Sequence, residues 1–316
     1  MPSDMSDMNI SRRQALATAV AAAASTQFSI QAAEAEDQAP WIDAHSHIWT
    51  SDTSVFKLAP GMTTANLSPK DFTDDALMAL VRPHGVGRVV LIHHQPFHGF
   101  DNAYLTDAYQ RHPNLFRVVG MIDDLRPFCD TAMKQLIHEG VTGFRIGPRK
   151  GIPDWLHTDG MVQMWKTAAE TRQAMCCLVN PDELPAIHAN CERHPETPVV
   201  IDHFARIGAD GTIREADLKN LCHLARHSHV KVKISAYYAL GKKQPPYDDL
   251  IPMIRRLYEC FGANRLMWAS DSPYQLTGIN GYKDSIDLVK YRLDFVSDEE
   301  RQSLLRTTAE ETFFYV

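Results

Sequence analysis

Two histidines one residue apart are the first side chains whose spacing could support catalysis. His45 and His47 follow an apolar start in the segment WIDAHSHIW. In an extended strand, side chains at positions i and i+2 point to the same side, whereas on a helix they would not face each other. The two imidazoles are therefore expected to leave the end of a strand together and to bind one ion or one substrate. Two unrelated histidines at a strand–loop junction are the alternative.

A regular alternation of strands and helices surrounds this pair. The predicted strands are the segment with His45 and His47, then 88–93, 116–121, 142–146, 174–179, 198–203, 230–235 and 265–271. A helical pattern follows each of them, and the continuous apolar runs are typical of parallel strands that are covered on both faces. Asn180, as N-cap before Pro181, and a capping box at Ser297 and Glu300 mark two helix starts. Eight such units predict an α/β fold, a single (β/α)8 TIM barrel.

Composition excludes some classes of function. The chain has 316 residues, of which 44% are hydrophobic and 22% charged, with a net charge of -7. These proportions are those of an ordinary globular protein. The acidic balance argues against a nucleic-acid partner, because phosphate binding favours a basic surface. A small-molecule substrate is expected, and self-association is left open.

The N-terminal segment has the layout of an export signal. Arg12 and Arg13 precede a run of small apolar residues, and an Ala-x-Ala pattern ends at Ala35. This arrangement indicates a twin-arginine signal over 1–35, a barrel domain over 36–316 and a periplasmic location. The apolar run is too short for a membrane anchor. A disordered or amphipathic N-terminal helix is the alternative.

Six cysteines are scattered along the chain without the spacing of a metal site: Cys129, Cys176, Cys177, Cys191, Cys222 and Cys260. Most are expected to be buried as small hydrophobic residues. Whether any two form a disulfide is left open by their spacing.

The active site of such a barrel lies at the carboxyl ends of its strands. Polar side chains stand at the end of seven of the predicted strands: His45 and His47, His93 and His94, Arg145, Asn180, Asp202 and His203, Ser235 and Tyr237, and Ser270 and Asp271. Charged groups are rarely buried without a partner or a task. Their convergence therefore predicts a catalytic or binding site at this end.

Four of these motifs, in this order, resemble the amidohydrolase-related family of the amidohydrolase superfamily. They are the His-x-His of the first strand, Gly-Phe-Arg-Ile of the fourth, Ile-Asp-His of the sixth and Ala-Ser-Asp-Ser-Pro of the eighth. The likeness spans roughly 41–316 and is greatest to the branch that holds 2-pyrone-4,6-dicarboxylate lactonase and sugar lactonases. The motifs are specific for the superfamily, whose barrels are of the metal-dependent-hydrolase type, but not for a substrate.

The resemblance implies catalytic roles for three residues. Asp271 matches an aspartate that binds metal or accepts a proton from the attacking water, and His203 matches a histidine that faces the substrate carbonyl or completes the metal shell. Arg145 matches an arginine that holds a carboxylate or carbonyl oxygen, a task that suits a planar guanidinium. Each residue has a structural alternative. Asp271 would be a helix cap, His203 a buried core histidine, and Arg145 the partner of an ion pair with Asp271 or Asp202.

The same resemblance leaves two versions of the site. No histidine ends the fifth strand, so a two-metal centre is not expected. In one version a single divalent ion, zinc by its ligands, is held by His45, His47 and Asp271 with water completing the shell. In the other there is no metal, and the same residues bind substrate directly. Substrate contacts are expected from His45, His47, Arg145, Asn180 and Tyr237.

The resemblance therefore implies a hydrolase that opens a lactone or related cyclic ester of a small, oxygen-rich acid. Water would be activated by Asp271, with or without the metal. A metal-dependent decarboxylase of the same superfamily and a non-catalytic binding barrel are the alternatives.

Overall fold

The computed structural model describes residues 40–316, and residues 41–316 form one compact unit. The predicted export signal over 1–35 lies outside the described residues. No helix within the described range is both long enough and apolar enough to cross a membrane.

Eight parallel strands form the centre of this unit. They are β1 (Trp41–Ser46), β2 (Val86–Ile92), β3 (Phe116–Gly120), β4 (Val141–Ile146), β5 (Ala174–Cys177), β6 (Val199–Ile201), β7 (Val230–Ile234) and β8 (Leu266–Trp268). Each strand pairs with the next one in the chain. The predicted (β/α)8 barrel is therefore confirmed, with each strand within a few residues of its expected place.

Helices cover the outside of the barrel. They are α1 (Asp74–Val81), α2 (Gln95–His98), α3 (Ala103–Arg111), α4 (Cys129–Leu136), α5 (Asp159–Thr171), α6 (Leu184–Arg193), α7 (Glu215–His223), α8 (Ile251–Phe261), α9 (Tyr282–Asp287), α10 (Asp298–Gln302) and α11 (Thr308–Phe313). The capping box before α10 is present, since Ser297 Oγ accepts from the Glu300 backbone and Glu300 Oε2 accepts from the Ser297 backbone. This satisfies two amides that a helix start would otherwise leave unpaired.

Asn180 stands at the N-cap position before Pro181, as predicted, but its side chain does not cap the helix. A single 3-10 turn, Pro181–Glu183, follows Asn180, and α6 begins only at Leu184. The Asn180 side chain makes no capping bond; its Oδ1 accepts a hydrogen bond from Arg206 at 3.3 Å. Proline at the first position of the turn fixes the start of the segment without help from the side chain of Asn180.

One buried carboxylate spans the seam between the first and last strands. Asp43 Oδ1 accepts from the Ser270 amide at 2.9 Å and from the His45 amide at 3.1 Å. Its Oδ2 accepts from Ser270 Oγ at 2.6 Å and from Tyr282 OH at 3.0 Å. Backbone bonds from Asp271 to His45 and from His47 to Ser272, both 2.8 Å, complete the closure. The seam therefore aligns the two histidines with Asp271.

The strand period of two decides which side chains enter the barrel. Val200 and Ala269 belong to a buried apolar cluster, to which every strand except β4 and β7 contributes. Phe313 of α11 is part of the same cluster. Two positions further along the chain stand Asp202 and Asp271, which therefore face the same interior. The inner layer thus changes from apolar to charged towards the carboxyl ends of the strands.

The cysteines divide into two groups. Cys222 at the end of α7 and Cys260 in α8 form a disulfide, with their Cα atoms 5.6 Å apart. The other four are free and buried, as expected for small hydrophobic residues.

Candidate active site

The carboxyl end of the barrel brings together four of the predicted residues. The rings of His45 and His47 lie 5.2 Å apart, and those of His45 and His203 lie 4.4 Å apart. Asp271 Oδ1 is 3.4 Å from His45 Nε2 and 3.3 Å from His47 Nε2, and its Oδ2 is 3.9 Å from His203 Nε2. Residues from β1 and from the loops after β1, β6 and β8 thus meet at one carboxylate.

Asp271 is held as a buried anion. Burial would raise its pKa, but the neighbouring histidines, His203 first and then His47 and His45, hold that pKa well below its usual range. The Tyr238 hydroxyl donates to Oδ2 at 2.6 Å, while Oδ1 accepts no hydrogen bond of good geometry from the described residues. The backbone of Asp271 is left-handed, with φ of 65°. Such strain in a non-glycine residue is typical of functional sites.

His45 lies within a balanced group of four charged side chains. Arg145 of β4 is 3.0 Å from His45 Nε2, and Lys233 of β7 is 3.3 Å from His45 Nδ1. Asp202 Oδ1 is 3.5 Å from Nδ1, and Asp271 is the second carboxylate. Two cations face two anions, so the group can be buried without net charge.

His45 and His203 are neutral. Burial lowers the pKa of His45 far below the ordinary value, and the charge of Lys233 acts in the same direction. Burial also lowers the pKa of His203 to about 4, although Asp271 opposes the shift. His203 Nδ1 contacts Ser235 Oγ at 2.8 Å, which fixes the ring. Neutral imidazoles can accept a proton or bind a metal ion.

A cavity of about 380 Å³ opens onto these side chains. The polar groups that line it are His47, His94, Arg145, His203, Arg206, Tyr238, Asp271 and Tyr274. Its position over the strand ends is the place where barrels of this type bind substrates.

The structure corrects one predicted substrate contact. Tyr237 does not line the cavity: it is fully buried, and its hydroxyl donates to the Ile234 carbonyl at 3.0 Å. Ala236 has a left-handed backbone, with φ of 57°, which turns the chain so that Tyr238 reaches Asp271 instead. Asn180 lines an adjoining cavity rather than the one around Asp271.

Three functional residues escaped prediction from the sequence. Lys233 could have been identified from the sequence, because a lysine in the middle of a buried strand needs a charged partner. Arg206 lines the cavity, and of the described residues only Asn180 accepts a hydrogen bond from its guanidinium. Tyr238 had no local signal, because a left-handed alanine before it is not encoded by a turn motif.

The ligand set fits one divalent metal ion. His45, His203 and Asp271 are buried, and each offers a ligand atom within 4.8 Å of the other two. This group contains His203, whereas the set predicted from the sequence contains His47. His47 is close as well: its Nδ1 donates to the Ile92 carbonyl at 2.9 Å, and its Nε2 lies 3.3 Å from Asp271 Oδ1. Two imidazoles, a carboxylate and an open position are typical of catalytic zinc.

Comparison with known proteins identifies the family of the chain. The chain is 30% identical over 244 residues to a 4-sulfomuconolactone hydrolase of Rhizobium radiobacter, covering 77% of each chain. It is 29% identical to an L-fucono-1,5-lactonase of Burkholderia ambifaria, over 73% of this chain and 80% of that one. An amidohydrolase of Burkholderia multivorans, solved with bound zinc, shares the fold at 22% identity with a TM-score of 0.68, over 87% of this chain and 99% of that one. The model of the amidohydrolase family matches residues 42–315, and the chain belongs to that family.

Proposed function

We propose that this enzyme hydrolyses the ester bond of a lactone of a small, oxygen-rich acid. The observation that carries the proposal is Asp271, an ionised carboxylate at the base of the cavity with one oxygen free of hydrogen bonds from the described residues. Two of its relatives are named as lactone hydrolases, a 4-sulfomuconolactone hydrolase and an L-fucono-1,5-lactonase. A cyclic ester needs a water-activating base beside a group that stabilises the carbonyl oxygen, and both are present.

Asp271 is the base in this reaction. Water held at Oδ1 loses a proton to the carboxylate as its oxygen attacks the lactone carbonyl carbon. The carbon–oxygen bond of the ring then breaks, and the ring oxygen takes the proton from Asp271 to become a hydroxyl group. Tyr238 holds the other carboxylate oxygen and so fixes the direction in which Oδ1 points.

Arg145 and Arg206 are suited to the negative charge of the substrate. Arg145 lies at the edge of the histidine cluster, where its guanidinium can donate to the carbonyl oxygen as charge develops there. Arg206 stands further out in the cavity wall. Planar guanidinium groups bind carboxylates through two parallel hydrogen bonds. An acidic substituent on the lactone ring would therefore be held beside Arg206.

We also propose that one zinc ion is bound by His45, His203 and Asp271, with His47 close enough to join them. Such an ion polarises a carbonyl and lowers the pKa of bound water to roughly 7. The guanidinium of Arg145, 3.0 Å from His45 Nε2, competes for the same nitrogen lone pair. Metal binding would then require Arg145 to turn towards the substrate.

The experiment is a lactone panel assayed by acid release, with Asp271→Asn as the test variant. We expect turnover by the wild type and a loss of 10²-fold or more in kcat for the variant, with the same circular dichroism spectrum. Asp210→Asn is the matched control, because Asp210 is an exposed carboxylate paired with Arg214 at 2.6 Å. Its kcat should equal that of the wild type.

Two outcomes would favour the alternatives. Release of carbon dioxide without acid from a carboxylated substrate would indicate a decarboxylase, which the lack of a histidine at the end of β5 disfavours. Ligand binding that is unchanged in Asp271→Asn, with no turnover by either protein, would indicate a binding barrel.

We propose a periplasmic location for the enzyme. The paired arginines at the N-terminus support it, and so does the disulfide between Cys222 and Cys260, since structural disulfides persist in oxidising compartments. Replacing Arg12 and Arg13 by lysine should retain the protein in the cytoplasmic fraction. Equal amounts of periplasmic enzyme with and without this change would contradict the twin-arginine route.

A further inference from the structure

Two adjoining cavities occupy the carboxyl end of the barrel. The first, which we call the small chamber, is the cavity of about 380 Å³ around Asp271. The second, the large chamber, has a volume of about 600 Å³ and extends over the ends of β3, β4 and β5. Pro96, Arg145, Leu178 and Arg206 line both chambers. Because they share this wall, one bound molecule can extend from the small chamber into the large one.

The large chamber has a lining suited to binding rather than to reaction. Apolar side chains form much of its wall: Phe100, Met121, Ile122, Met161 and Val179. Its lining includes none of the histidines or the aspartate of the catalytic cluster. A ligand portion with an apolar body would lose contact with water on entering it, which favours binding.

Charged groups in the large chamber favour a negative ligand. Four cations line it, Arg145, Arg149, Lys150 and Arg206, against one carboxylate, that of Asp124. Arg149 is already paired, since it donates to Asp123 at 2.9 Å and also contacts Asp124. Lys150 forms no ion pair with the residues that the structure describes. The uncompensated positive charge of the large chamber is therefore that of Lys150, together with that of Arg206 at the wall between the chambers.

The volumes indicate a substrate larger than a single ring. Small-molecule sites are roughly 300–1,000 Å³ for drug-sized ligands, and the small chamber alone falls at the lower end of that range. It can hold a lactone ring with short substituents. The large chamber would then contain only water, although apolar side chains form much of its wall.

We propose that the large chamber binds a substituent of the substrate, so that the natural substrate is a lactone with a side chain of several carbons that ends in an anionic group. This inference rests on the proposed lactone hydrolysis. The ring lies beside Asp271, the chain passes between Arg145 and Arg206, and its end approaches Lys150.

A series of three γ-lactones tests the proposal with the wild-type enzyme. The ring carries a hydrogen, a butyl group or a 4-carboxybutyl group on the carbon next to the ring oxygen. Burial of each CH2 is expected to raise kcat/KM about fourfold. The butyl lactone should therefore exceed the parent by tenfold or more, and the carboxybutyl lactone should exceed the butyl lactone.

Variants of the large chamber separate its apolar wall from its charge. Met161→Trp fills the chamber, and we expect it to lower the ratio of kcat/KM for the carboxybutyl lactone to that of the parent lactone by about tenfold. Ile122→Trp is a second filling variant at a half-buried position, in case the first does not fold. Lys150→Ala should lower kcat/KM for the carboxybutyl lactone but not for the butyl lactone. Lys134→Ala is the control, an exposed lysine on α4 that pairs with Glu170.

The outcomes separate this inference from the proposed function. Equal kcat/KM for all three lactones, unchanged by the filling variants, would overturn the substituent pocket and leave lactone hydrolysis standing. Hydrolysis of none of the lactones, together with none in the wider panel, would contradict the proposed function and this inference with it.

Discussion

Lys233 and Asp202 form an ion pair inside the barrel, with Nζ 3.0 Å from Oδ1 and neither side chain exposed to solvent. Burial would raise the pKa of Asp202, but Lys233 and His45 hold it well below the ordinary value. Lys233 also lies 5.3 Å from the ring centre of Phe313, at the floor of the charged layer. Lys233 therefore contacts the His45 ring from inside the barrel and compensates the negative charge of the buried Asp202 carboxylate.

Removing Lys233 should destabilise the fold strongly. Lys233→Met leaves Asp202 buried without its main partner, and breaking a buried pair in this way costs about 3–5 kcal/mol. Urea unfolding measures the change. Lys233→Met with Asp202→Leu should recover part of the loss, because the unpaired charge is then gone as well.

The control for this experiment is Lys283→Met. Lys283 is exposed on α9 and pairs with Asp287, an arrangement that contributes roughly 0–1 kcal/mol. A loss in Lys233→Met no larger than in this control would show that the buried pair contributes little.

The adjacent tyrosines of the loop after β7 should separate catalysis from stability. Tyr238→Phe removes the hydrogen bond to Asp271 and should lower kcat about tenfold, since such bonds to charged groups contribute about 1.5–3 kcal/mol. Tyr237→Phe removes a bond to a backbone carbonyl and should cost about 1 kcal/mol of unfolding free energy with kcat unchanged. Steady-state kinetics and urea unfolding of both variants provide the test. A loss of kcat in Tyr237→Phe but not in Tyr238→Phe would show that Tyr237 belongs to the active site.

Stability should fall between pH 6.5 and pH 4 in protein freed of metal. Burial lowers the pKa of His93 to about 3 and that of His203 to about 4. In this range the unfolded chain binds protons that the folded chain does not, so the unfolding free energy decreases as pH falls. The slope is about 1.4 kcal/mol per pH unit for each such histidine.

Urea unfolding at pH 7, 6 and 5, in the presence of a chelator, measures this slope. His93→Asn should flatten it by the share of one histidine, whereas His138→Asn, at an exposed position, is the control. A slope that does not change in His93→Asn would contradict the assignment of His93 as a buried neutral group.

Zinc binding should depend on His203. Purified enzyme loaded with zinc is expected to hold one equivalent per chain, and chelation should lower the midpoint of thermal unfolding, because an ion at 100 times its Kd stabilises by about 2.7 kcal/mol. His203→Asn should weaken binding at least tenfold. Calorimetric titration and metal analysis test both statements, with His229→Asn as the control outside the cluster.

The comparison with His47→Asn distinguishes the two ligand sets. Loss of zinc from His47→Asn but not from His203→Asn would restore the set predicted from the sequence, His45, His47 and Asp271. If the wild-type enzyme retains no zinc after incubation with the ion, the result would favour direct substrate binding by the same residues.

Much of the barrel could be predicted because its signals are local. Continuous apolar runs mark the strands, and the carboxyl end of each strand then selects His45, Arg145, His203 and Asp271 as neighbours in space. Lys233 could have been found in the same way: Val232 and Ile234 pack outwards, so the lysine between these two points into the barrel.

Other features depend on contacts between distant segments. The direction of Tyr238 follows from a left-handed backbone at Ala236, and the side chain of Asn180 is drawn to Arg206 instead of the helix start. Motif spacing also cannot decide between His47 and His203 as the third metal ligand, because both rings lie beside Asp271.

The carboxylate of Asp43 has a consequence for the order in which the enzyme becomes active. It joins a segment made early in synthesis to Ser270 and Tyr282, which emerge more than two hundred residues later. Until that late segment is made, Asp43 lacks its partners across the seam and the catalytic cluster lacks Asp271. A ribosome-bound chain that lacks its last fifty residues should therefore be inert, however much of the barrel it has already formed.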